Sequence, residues 1–163
     1  MIIIIFEDGQ GLGNQLWLFA VAKSISEKLN YELEIQNIKK FKGLNFLKLD
    51  CKNFVSDLEI NMKHNINRLN IFNERIYYDS ELKYLVSGYD QNILNIKENT
   101  IIEGIFQSEK YFFDDLEKIK RYISFKDKRN FNKFIGDDVC ILNIRGGEYK
   151  RHKNFILPKS YWE

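Results

Sequence analysis

The run Ile2 to Phe6 is apolar at every position, is mostly β-branched, and gives way at once to Glu7-Asp8 and the turn Gly9-Gln-Gly-Leu-Gly13. A strand that is apolar throughout is covered on both faces, as in parallel sheets, and parallel neighbours need a crossover segment between them. The next segment supplies one. Leu16, Phe19, Ala20, Lys23 and Ser24, with Val21, Ile25 and Leu29, make a stripe at helical spacing, and Asn30 is a stop. Tyr31 to Ile35 then reads as a second strand, with a right-handed crossover. Strand, glycine turn, helix and strand predict an α/β chain with a Rossmann-like, three-layer domain.

Length and composition bound what surrounds this unit. A chain of 163 residues is one complete domain at most, and 44% hydrophobic with 29% charged residues is ordinary for a globular fold. The net charge of +2 is too small to draw nucleic acid or an anionic membrane, so a bound anion needs a local site. The opening apolar run is too short for a membrane span and lacks the basic flank of a signal peptide. Cys51 and Cys140 match no metal spacing, and Cys140 sits in an apolar run, which together suggest a reducing compartment. The expected location is the cytoplasm, including the inner face of a membrane as a peripheral protein.

Farther along, residues 38–99 read as short helices and loops. Thr100 to Phe106 reads as a strand, and Ser108 as the cap of a helix carrying Tyr111, Phe112, Leu116, Ile119 and Ile123 on one face. Another helix is expected from Asp127 to Ile135, ending at Gly136, then a strand from Val139 to Ile144 that meets a second glycine turn, Arg145-Gly-Gly-Glu148.

The two glycine turns are the candidate sites. In the first, Gly11 and Gly13 allow close backbone approach at a helix N-terminus, where Asn14 and Gln15 can orient a polyhydroxylated ligand or simply cap the helix. The dinucleotide fingerprint fails because Asn14 stands where its third glycine belongs, and no Gly-Lys-Ser/Thr is present. In the second, Arg145 at the end of a buried strand has the planar fork for a diphosphate, and pairing with Glu148 is the other reading. Lys150 to Lys153 reads as a solvated run and His152 as a surface histidine. Glu7, Asp8 and Glu103 lie near strand ends, where exposed acids are usually solvated, and none is singled out as a base.

Gly11-Leu-Gly-Asn-Gln-Leu16, Glu103-Gly-Ile-Phe-Gln-Ser-Glu-Lys-Tyr-Phe112 and Asn143-Ile-Arg-Gly-Gly-Glu-Tyr149 before Leu157-Pro158, in that order, resemble the α-1,2-fucosyltransferases of glycosyltransferase family 11. The resemblance implies a GT-B architecture of two Rossmann-like domains. It also implies metal-independent transfer of fucose from GDP-fucose to the 2-hydroxyl of a galactoside, with inversion. On it, residues 1–136 would be the acceptor-side domain and 137–163 the start of a truncated GDP-sugar domain, the chain being an N-terminal portion expected to show no sugar transfer alone. The family's motif His-x-Arg-Arg-x-Asp falls on Asn143, Arg145, Gly146 and Glu148, and only Arg145 is unchanged. Arg145, Gly146, Gly147 and Glu148 would hold the GDP-sugar. Gly11, Gly13, Asn14 and Gln15 would face the acceptor, with Asn14 and Arg145 nearest the reaction. The implied partners are a GDP-sugar and a galactoside or other glycan, with no metal, nucleic acid or membrane span. Two other readings stand beside it. One is a non-catalytic carbohydrate-binding or assembly module, and the other is a nicotinamide enzyme in which Glu34 holds a ribose.

Overall fold

β1, Ile2–Ile5, runs through the centre of the molecule with Ile2, Ile3 and Ile4 fully buried. The computed structural model describes residues 1–55, 69–81, 83–112, 114 and 116–127, and the account below concerns these. They belong to the unit Met1–Lys128; a second unit, Arg129–Glu163, lies outside them. So do the expected Asp127 to Ile135 helix beyond Asp127, the Val139 to Ile144 strand and the expected domain boundary.

After β1 comes the helix α1, Leu12–Lys28, then β2, Leu33–Gln36. The chain turns through a 3₁₀ segment, Ile38–Lys40, into β3, Leu47–Leu49, and β4, Asn53–Val55. β5 is Asn70–Asn73, and β6, Ile76–Asp79, pairs with β7, Tyr84–Ser87, in an antiparallel hairpin. A 3₁₀ segment, Gln91–Asn95, leads to β8, Thr100–Glu103; α2, Leu116–Tyr122, and β9, Ile123–Phe125, follow. The main sheet has the order β4-β2-β1-β8-β5 with every pairing parallel. Two small antiparallel pairs, β3-β9 and β6-β7, stand apart from it.

The expected α/β class therefore holds: a five-stranded parallel sheet with helices against it, compatible with a Rossmann-like fold. Alternation sorts the β1 side chains. Ile2, Ile4 and Phe6 join the core under α1 with Phe19, Val21 and Ile25, while Ile3 is buried from the other face. The small residues Ala20, Ala22, Ser24 and Ser26 are buried along α1, which lets neighbouring elements approach closely. Asn30 adopts a left-handed φ of 54°, and Tyr31 N donates to Ser26 O, closing the helix where expected.

Two expectations are corrected. Residues 38–99 are not helices and loops alone, because β3 to β7 all lie there. These strands are three or four residues long, and β3, β4 and β5 are fixed by partners distant in sequence. The helix expected from Ser108 is interrupted. Ser108 precedes only a 3₁₀ turn, Glu109–Tyr111, without a side-chain cap bond, and the α-helix starts at Leu116. Phe112, at φ −140°, breaks the helical path; Ile123 belongs to β9, and Leu116 is exposed.

Candidate site at the sheet's switch point

β1 has its sequence successor β2 on one side and the much later β8 on the other, so the strand order reverses at β1. In open parallel sheets such a switch point leaves a crevice beyond the strand ends. Here it contains a cavity of about 130 Å³ over Ile5 and Ile102, bordered by Glu7, Gln10, Glu103 and Gly104. Glu7 and Glu103, at the ends of adjacent strands, thus put two exposed carboxylates on one cavity. Asp8 is engaged elsewhere, 3.1 Å from Lys40 Nζ. The glycine turn is tightened by Glu7 N donating to Gln10 Oε1, 3.1 Å.

The three glycines of this turn differ. Gly9 has φ +84°, which only glycine adopts without strain. Gly11, the residue before α1, has the ordinary extended angles φ −72° and ψ 155°. A Cβ on Gly11 or Gly13 would meet nothing within 4 Å. Neither backbone angle nor packing against the described residues asks for glycine at these two positions. The first amides of α1 have no acceptor within the helix, by the geometry of any helix start.

Asn14 lies in that first turn but does not cap it. Its Oδ1 accepts from Gln107 Nε2 at 2.9 Å, across to the segment after β8. Gln15 turns inward. It is fully buried, Nε2 donating to Lys40 O and Oε1 accepting from Lys42 N, both at 2.9 Å. Its amide fastens the chain after β2 to α1 and does not line the crevice, contrary to the expectation that set Gln15 among the ligand-facing residues.

The segment carrying Gln107 has its own anchor, which sequence reasoning missed. Glu74, following β5, is 6% exposed, and its Oε2 accepts from the amides of Ile105 and Phe106 at 2.8 and 2.7 Å. Oε1 has no hydrogen-bond partner among the described residues. Phe106, at φ 50°, is held in the left-handed region and is fully buried. Gly104 leaves room for this arrangement, because a Cβ there would overlap Glu74 Cβ and sit 2.8 Å from Oε2. Glu74 carries no motif, and only its pairing neighbour β8 gives it a role. Gln107 was visible within the mid-chain run but not as a partner for Asn14.

Arg145, Gly146, Gly147 and Glu148 lie outside the described residues. Glu34 is buried within β2 and accepts from Gln36 Nε2 at 2.9 Å, which removes it as the ribose-binding acid of a nicotinamide enzyme. Among the described residues no group of His, Cys, Asp and Glu could hold a metal, and no helix is long and apolar enough to cross a membrane. No family model, curated protein or solved structure matches this chain. A reading of its function starts from the crevice.

Proposed function

We propose that the chain provides the acceptor side of a glycosyltransferase of the α-1,2-fucosyltransferase kind, passing fucose from GDP-fucose to the 2-hydroxyl of a galactoside with inversion. The observation that carries this reading is the pair Gly11 and Gly13 at the start of α1, bare backbone that neither conformation nor packing against the described residues requires. Inside the first turn glycine costs helix stability, and close approach by a ligand is a reason to keep Gly13 there. Half-buried Asn14 and exposed Gln107 add two amides, suited to the paired donors and acceptors of sugar hydroxyls.

In this reading the acceptor oxygen attacks the anomeric carbon of fucose as the carbon–oxygen bond to the diphosphate breaks. GDP leaves with the bonding electrons, and the acceptor's proton passes to Glu7 or Glu103, the two carboxylates on the cavity. The family resemblance assigns the diphosphate to Arg145, Gly146 and Gly147, which lie outside the described residues. Glu148 stands at the family's acid position.

The test is to offer GDP-fucose and lactose to a complete enzyme that contains this chain and to look for a 2-fucosylated product. In that enzyme Arg145→Lys is expected to lower turnover by roughly two to three orders of magnitude, the scale seen when a donor to developing negative charge is removed. Turnover within about threefold of the parent, with unchanged donor affinity, would withdraw Arg145 from this role. The exposed tyrosines of the β6-β7 hairpin favour a second reading, a non-catalytic carbohydrate-binding module. Galactoside binding without product, in a protein that also fails to bind GDP-fucose, would select it.

A further inference from the structure

Away from the crevice, the β6-β7 hairpin carries an unusual concentration of exposed aromatic surface. Tyr77, Tyr78 and Tyr89 are 49%, 62% and 39% exposed. Between Arg75, Tyr77, Gly88 and Tyr89 lies a cleft of about 240 Å³. The rings bordering it are held in place without any ligand. Tyr77 lies against Gly88, where a Cβ would come within 3.0 Å of its Cε1. Tyr89 packs on Tyr111 at 4.9 Å between ring centroids and 60°. Tyr111 is buried and doubly fastened, its hydroxyl donating to Gly88 O at 3.1 Å and accepting from Asp90 N at 3.0 Å. It also meets Phe106 edge-on at 5.3 Å. One segment thus links the cleft to the Asn14–Gln107 pair: Glu74, next to Arg75, holds its start at Ile105 and Phe106, Gln107 follows, and Tyr111 backs the cleft.

We infer that this cleft is a binding site for one hexopyranose ring of a glycan. A pyranose presents an apolar C–H face and a rim of hydroxyls. The tyrosine faces suit the first, and the guanidinium of Arg75, with its donors in a plane, suits the second. Tyrosine supplies this contact at little entropic cost because its ring has few rotors. The cleft is smaller than the roughly 300 Å³ at which pockets for drug-sized ligands begin, which fits one sugar ring and not a nucleoside diphosphate. The choice of a galactose-containing glycan as occupant rests on the transferase reading.

The experiment is an amide and tyrosine-ring NMR titration of the 163-residue chain with lactose, and separately with GMP. Lactose is expected to shift Arg75, Tyr77, Gly88 and Tyr89. Tyr77→Ala should weaken it roughly tenfold, because the ring face that meets the sugar is removed. Tyr77→Phe should retain the affinity within about threefold, because the face and not the hydroxyl makes the contact. Arg75→Ala, an exposed change that leaves the ring packing alone, should also weaken it. Three results would overturn the inference: no shifts in the cleft with lactose, GMP shifting the cleft in its place, or full affinity in both Tyr77→Ala and Arg75→Ala. Failure of fucose transfer with lactose still bound here would remove the transferase reading and leave the cleft standing; transfer with a silent cleft would do the reverse.

Discussion

At single residues, the glycines divide into those the fold needs and those it does not. Gly104 is needed, because Glu74 fills the space where its side chain would stand. Gly104→Ala is expected to cost about 1–3 kcal/mol through overpacking, read as a lower urea midpoint with an unchanged slope. Gly13→Ala should leave stability unchanged or raise it by up to about 1 kcal/mol, since its Cβ meets nothing and alanine is the better helix residue. The same substitution should reduce lactose binding or transfer at the crevice. A Gly13→Ala protein that loses stability as Gly104→Ala does would mean that the glycine serves packing, and the site reading of that turn would fall.

Among the elements, α1 shows how much of the site could be read in advance. Its start at the glycine turn and its stop at Asn30 follow from local chemistry, so both were legible. The inward turn of Gln15 was legible in principle too. Leu18, Phe19 and Ala22, at three, four and seven residues farther on, are all buried, so Gln15 shares the core face of the helix. Reading it as a second ligand amide beside Asn14 overlooked that spacing. Gln15→Leu keeps the volume but leaves the Lys42 amide and the Lys40 carbonyl without their partner. It should destabilise the protein by about 1–3 kcal/mol, with faster amide exchange at Lys42 as the local signature. Unchanged exchange there would show that the clamp contributes nothing. β5 was not legible, for a different reason. Its sequence Asn-Ile-Phe-Asn has weak strand preference, and pairing with β8, from Asn70 opposite Thr100 onward, makes it a strand. Glu74 and the hairpin tyrosines inherit that obscurity.

For the molecule as a whole, the parallel sheet was the most readable property, because a fully apolar first strand followed by a glycine turn and a helix admits few other architectures. Its response to alkali also follows from burial. Desolvation raises the Cys51 thiol above its ordinary range, and burial does the same to the Tyr111 phenol. Both hold their protons longer folded than unfolded, so their contribution is intact below the unfolded values and is lost as pH rises toward the folded ones. The urea midpoint should therefore fall from about pH 8.5 upward for the thiol and from about pH 10 for the phenol. In Cys51→Ala the first part of that fall should disappear; an identical profile would show that the thiol titrates alike in both states.

The strand order also has a consequence for the nascent chain. β8 is inserted between β1 and β5, yet it is synthesised after both. When β1, α1 and β2 have left the ribosome, one flank of β1 still awaits β8, which starts at Thr100, well beyond the end of β2 at Gln36. At about 5–20 residues per second that interval lasts roughly 3–13 s. Throughout it an all-isoleucine edge is open to any other strand. Only when Thr100 to Glu103 emerges does that edge gain its partner, so the unfinished chain is most open to mispairing in this window.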